Sequence, residues 1–107
     1  MRLPILALLV LLPAAAMAEG EMFSVEYQCA DNRRLPVAFI NAGEDSFAVI
    51  HEAGAMVPLK LAVSASGARY LSADEGLELW TKGAEATLTL LGENGTVLYR
   101  DCAEIGG

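Results

Sequence analysis

From Phe23 onward, turn-forming residues recur at such short and regular intervals that the segments between them have room for a short strand and little else. Asp31-Asn32, Asn41 to Asp45, Ala53-Gly54, Ser64 to Gly67, Asp74 to Gly76, Lys82-Gly83 and Gly92 to Gly95 separate eight runs. These are Phe23–Cys29, Arg33–Ile40, Ser46–His51, Met56–Val63, Ala68–Ser72, Leu77–Thr81, Ala84–Leu91 and Thr96–Asp101. The first alternates apolar and polar without a miss, which puts Phe23, Val25, Tyr27 and Cys29 on one face. No window carries a capped helical stripe. The expected fold is all-β: a small eight-stranded antiparallel β-barrel with one disulfide, its interior filled by side chains. Pro36 and Pro58 fall inside strand-like runs and mark bulges or edge-like positions, because proline has no N–H to give to a ladder.

Residues 1–18 read as a signal peptide. Arg2 supplies the positive end, Ile5 to Leu12 an apolar run, and Ala16-Met17-Ala18 a small-residue cleavage site. The mature chain is then a single domain, 19–107, expected to be periplasmic or secreted. Export exposes Cys29 and Cys102 to an oxidising compartment, where they are most simply one disulfide. Such a bond closes a loop of 73 residues, which the chain-entropy argument values at roughly 4 kcal/mol. A difficulty accompanies it. In a strict up-and-down meander the ends of the first and last strands lie at opposite rims, yet one cysteine ends each. Either the last strand stops short, or a tail crosses the barrel, or the topology is less simple.

Without Arg2, the mature chain has 6 basic against 14 acidic residues, a net charge of -8 with His51 neutral. A nucleic-acid binder is hard to build from this balance, and a strongly basic protein partner is favoured instead. No later apolar run approaches the length of a transmembrane span. No metal site or cofactor is expected: both cysteines are committed, His51 is the single histidine, and the carboxylates lack calcium-loop spacing.

Catalysis finds no better support. Nothing ties His51 to a nucleophilic serine, and Asp74-Glu75 with Glu78 reads as a solvated hairpin tip rather than a glycosidase pair. Asn94-Gly95-Thr96 matches a glycosylation sequon, but Asn-Gly between strands is first a hairpin turn.

Two motifs carry more. Ser66-Gly67-Ala68-Arg69-Tyr70 opens the fifth strand and Trp80-Thr81-Lys82-Gly83 closes the sixth, so both lie at the open end of one hairpin. With the turn centred near Asp74, Ser66 and Lys82 stand opposite one another, to within about two residues of register. Lys82 is one of only two lysines in the chain.

Together with Tyr27-Gln28-Cys29, the run Leu79 to Ala86 and the closing Cys102, these motifs resemble the membrane-bound and periplasmic inhibitors of c-type lysozyme, over about Val25 to Cys102. The resemblance implies an eight-stranded barrel stapled by a disulfide. It also implies a loop pair that enters the cleft of a basic c-type lysozyme, carried here by Ser66 and Lys82. Gly67 and Gly83 would let the backbone turn tightly, while Arg69, Tyr70 and Trp80 would brace the loops. Membrane-bound members have a lipidated cysteine after the signal, where this chain has Glu19-Gly20; no lipid anchor is expected. The competing reading is a small periplasmic ligand-binding β-barrel.

Overall fold

The computed structural model describes residues 20–105. The signal peptide, its cleavage point near Ala18 and the question of a lipid anchor therefore lie outside the described residues.

Strict alternation decides which way each strand faces. Leu35, Val37 and Phe39 are buried while Arg34, Pro36 and Ala38 between them are exposed. The same period sets the other strands. In order they are β1 (Glu21–Cys29), β2 (Arg33–Ala42), β3 (Asp45–Glu52), β4 (Ala55–Ala62), β5 (Ala68–Ser72), β6 (Leu77–Lys82), β7 (Glu85–Leu90) and β8 (Thr96–Glu104). A single 3-10 turn, Ala30–Asn32, joins the first two. All pairings are antiparallel and sequential, and β8 returns to β1 to close the barrel.

Inward-facing side chains leave little interior space. Tyr27, Leu35, Val37, Ile50, Leu59, Leu79 and Leu88 are each at most 2% exposed and form one continuous core. Each such side chain contributes about 1.5–3 kcal/mol by leaving water. This packed interior is the small-barrel geometry expected for eight strands.

The prolines take the edge-like option. Pro36 pairs with Glu26 of β1, but the β2–β3 ladder starts one residue later at Val37. Pro58 pairs with Val49 of β3, and the β4–β5 ladder starts at Leu59. Each is thus paired on one side only, where a missing donor need not break a ladder. The bulges lie elsewhere, between Ala86 and Thr89 in the β7–β8 ladder.

The cysteine difficulty is resolved by the first of the three expected departures, the last strand stopping short of the first, and stagger is its cause. The closing ladder contains only Tyr27↔Glu104 and Gln28↔Ala103. Continuing that register by one residue sets Cys29 against Cys102, and the two are bonded with Cα atoms 3.8 Å apart. Tilted strands in a closed barrel end at different heights, so the meander stays strict while the lower half of β1 runs on past the end of β8.

Two rims result. The lower rim carries the β2–β3 turn, the loop before β5, the β6–β7 turn and the end of β8. The upper rim carries the 3-10 turn, the β3–β4 turn, the β5–β6 turn and the β7–β8 turn. In the β5–β6 turn the Ser72 hydroxyl donates to Asp74 Oδ1 at 2.8 Å, and the Gly76 amide donates to the same oxygen at 2.9 Å. These two bonds, the serine's first, hold the Asp74 carboxyl below its ordinary range. Asp74 is therefore a turn-builder at the rim opposite the two motifs.

Burial, then the nearby Glu104 carboxylate and Tyr70, push the Tyr27 hydroxyl up to about 12; burial likewise raises Tyr70. An unfolded tyrosine ionises near 10. Between the two values the unfolded chain gives up its proton while the barrel retains it. The stabilising difference is complete below about pH 10 and is lost as pH rises toward 12. Denaturant unfolding from pH 8 to 11.5 should show stability flat to about pH 10 and falling beyond it. A flat profile to pH 11.5 would place the phenols in water.

Candidate functional site

Hairpin β5–β6 delivers both motifs to the lower rim. Its ladder runs Ala68↔Thr81, Arg69↔Trp80, Tyr70↔Leu79 and Leu71↔Glu78. Extending this register sets Lys82 level with Gly67, not Ser66. The expected pairing is corrected by one residue, because Ala73 to Gly76 form a four-residue turn centred between Asp74 and Glu75, with Glu75 at positive φ. Both residues lie just beyond the last ladder pair, on the same rim.

Side-chain donors fix the loop by its backbone. Trp80 Nε1 donates to the Ser66 carbonyl at 3.1 Å, and the Ser64 hydroxyl donates to the same oxygen at 2.6 Å. Arg69 reaches back to donate to the Val63 carbonyl at 3.3 Å. Its Nε is held by Glu78 Oε2 at 2.6 Å, a pair with side chains only 34% and 21% exposed. Partial burial makes this charge-assisted bond worth more than the exposed ion pairs elsewhere on the barrel. Arg69 and Glu78 are diagonal neighbours on the outer face, two positions apart in the register.

Gly67 has no room for a side chain. At φ +68° a Cβ would overlap the Thr81 carbonyl oxygen and press on the Trp80 ring at 3.2 Å. The indole and the loop backbone are in direct contact, and only glycine permits it. Gly83, at φ +60°, answers a different need: with Ala84 it makes the two-residue turn between Lys82 and Glu85. A left-handed residue at that place suits the twist of a hairpin.

With the backbone held, the side chains of Ser66 and Lys82 stay unoccupied by any described residue. Ser66 is exposed, and its hydroxyl has no hydrogen bond to a described residue. Lys82 is exposed too, and among the described residues no carboxylate lies within ion-pair distance of it. Tyr70 turns inward instead, 8% exposed, with its ring centroid 5.7 Å from that of Phe39. It supports the hairpin from inside the barrel, whereas Trp80 and Arg69 support the loop from outside. His51 is exposed on β3, as expected of a solvated strand-end histidine.

Two participants escaped the reading of the sequence. Glu78, grouped there with Asp74-Glu75, is the anchor for Arg69; the diagonal spacing in the hairpin was the available signal. Glu104 stands beside the β6–β7 turn, its amide donating to the Ala84 carbonyl at 2.9 Å. The β7–β8 ladder, which pairs Glu85 with Ala103, brings it there, and the closing register sets it against Tyr27.

These elements make a disulfide-closed antiparallel barrel with a braced loop and a lysine-bearing turn on one rim. The profile of the family described as membrane-bound lysozyme-inhibitor of c-type lysozyme matches residues 27–97, and the chain belongs to that family. A membrane-bound lysozyme inhibitor of C-type lysozyme from Pseudomonas aeruginosa is 38% identical over 66 residues, 61% of this chain and 50% of that protein. One from Cupriavidus necator is 40% identical over 81 residues, 74% of this chain and 63% of that protein. The chain thus spans between half and two thirds of the length of these relatives.

Solved structures agree in fold. The crystal structure of the periplasmic lysozyme inhibitor of C-type lysozyme from Salmonella typhimurium superposes with TM-score 0.72 at 29% identity, covering 80% of this chain and all of that one. Pseudomonas aeruginosa MliC, crystallised in complex with hen egg white lysozyme, gives TM-score 0.65 at 31% identity, covering 94% of this chain and 97% of that one.

Proposed function

We propose that this protein inhibits c-type lysozymes by inserting the Ser66-Gly67 loop and the Lys82-Gly83 turn into the enzyme's active-site cleft. One observation carries the reading: Ser64, Trp80 and the Arg69 that Glu78 anchors hold the loop by its backbone carbonyls, while the Ser66 hydroxyl and the Lys82 ammonium have no partner among the described residues. Preorganised loops with unoccupied polar ends lose little freedom on docking.

Lysozyme works with one carboxyl group kept protonated as general acid and another ionised as nucleophile or stabiliser. The Lys82 ammonium would pair with the ionised group and upset the proton balance of the other. Ser66 would donate to and accept from the same groups. In a cleft poor in water these bonds are stronger than on a surface, although desolvation of the ammonium offsets part of the gain. The protein would act by occupying the cleft, in the compartment to which the expected signal peptide sends it. A ligand-binding barrel is disfavoured by the filled interior.

The rim also suits the approach of a basic enzyme. Glu21, Glu44, Asp45, Glu85 and Glu104 stand at or near this end of the barrel. Lysis of bacterial cell walls by hen lysozyme should stop when the purified mature protein is added in excess. Association, followed by surface plasmon resonance, should slow as salt rises from 0.05 to 0.5 M, since screening acts over about 10 Å at 0.1 M. Dissociation should change far less. Undiminished lysis would end the reading, and equal association rates would remove steering from it.

A further inference from the structure

The open lower end of the barrel holds a feature that loop insertion does not use. Phe23, Tyr27, Phe39 and Tyr70 line a cavity of about 190 Å3, with Gly83 and Glu104 at its edge. Phe23 and Phe39 stack with centroids 5.5 Å apart, and Phe39 meets Tyr70 at 5.7 Å. Tyr27 and Tyr70 are 2% and 8% exposed, yet neither hydroxyl has a hydrogen-bond partner among the described residues. Buried hydroxyls are ordinarily paired. The Glu104 carboxylate faces the same space, close enough to raise the Tyr27 phenol.

Aromatic faces, neutral phenol oxygens able to accept, and one carboxylate form a receptor for a cation. An anion would be repelled by Glu104 and by the net charge of the chain. A drug-sized ligand needs roughly 300 Å3 or more, whereas one long side chain needs less. Position names its source. Gly83 lines the cavity and Glu104 bonds Ala84, so the mouth is continuous with the turn that carries Lys82, which itself points to the outer face with Trp80.

We propose that the barrel mouth is a second subsite for the bound lysozyme, receiving a lysine or arginine side chain from the rim of the enzyme's cleft between the aromatic rings and Glu104. The proposal rests on the inhibitor reading. The inhibitor then grips in both directions: its lysine enters the enzyme, and a basic side chain of the enzyme enters the barrel.

The test is dissociation of the full mature inhibitor from hen lysozyme, measured at 0.15 and 0.5 M salt for wild type, Glu104→Gln, Phe23→Leu and a Glu93→Gln control at the opposite rim. Circular dichroism and melting confirm folding. Glu104→Gln should dissociate about tenfold faster, the loss persisting in high salt, and Phe23→Leu about threefold to tenfold faster. Glu93→Gln should stay within about twofold. Wild-type dissociation by both Glu104→Gln and Phe23→Leu, with inhibition intact, would overturn the subsite alone. A wild type that does not bind lysozyme would overturn the inhibitor reading and the subsite with it.

Discussion

Lys82→Ala is expected to weaken inhibition of a c-type lysozyme by about 2–5 kcal/mol, between thirtyfold and several thousandfold, while the barrel melts as before. The size follows from what is lost. An ammonium paired with a desolvated carboxylate contributes more than a surface ion pair, and its removal leaves the enzyme's carboxylate in the interface without a counter-charge. Lys82 is exposed at the end of β6, with no ion pair to a described residue, so its removal costs the free protein little. Ser66→Ala should cost about 1–2 kcal/mol, the range for a neutral hydroxyl. Lys60→Ala is the control: that lysine, on the side of the barrel, has Asp45 at 3.9 Å and both side chains are well exposed. Inhibition constants and thermal midpoints of the same preparations distinguish loss of contact from loss of fold. A folded Ser66→Ala/Lys82→Ala double variant that inhibits normally would place the inhibitory contacts elsewhere.

Replacing both cysteines by alanine should be comparably costly, but to the fold. Cys29 and Cys102 are 5% and 1% exposed and lie at the closing seam, where only two register pairs join β1 to β8. Freed of the cross-link, the unfolded chain regains the entropy of a 73-residue loop, roughly 4 kcal/mol. For a domain of this size that is a drop in melting temperature on the order of 20 °C. Thermal melts of oxidised wild type and Cys29→Ala/Cys102→Ala decide the matter; midpoints within a few degrees would mean that the ladder closes the barrel unaided. The seam also bears on the site, since the end of β8 fastens to Ala84 next to Lys82.

Much of this architecture was legible from local chemistry. Period-two runs and turn residues yield the strand count because each strand needs only its own alternation to bury one face. The Ser66 and Lys82 neighbourhood followed from hairpin geometry to one residue, inside the allowance of about two, because a turn's centre depends on which residue takes positive φ, here Glu75. The stagger of the barrel was not legible. Shear is a property of closure and resides in no segment, so the direct opposition of Cys29 and Cys102, and with it the pairing of Glu104 with Tyr27, had no local signature. Arg69 was foreseen as a brace without its anchor, for a diagonal pair needs the register before it can be named.

Every ladder but one joins strands that are neighbours in the chain. Hairpins of this kind form in microseconds and close only short loops. The seam is the exception, and it concentrates the contact order of the molecule in one late event. A curling sheet can be assembled strand by strand from either end, with both thiols accessible until β8 meets β1. Oxidation of Cys29 and Cys102 then records that the sheet has curled in the correct register, since a slip of β8 by one residue would turn Cys102 to the opposite face and away from its partner.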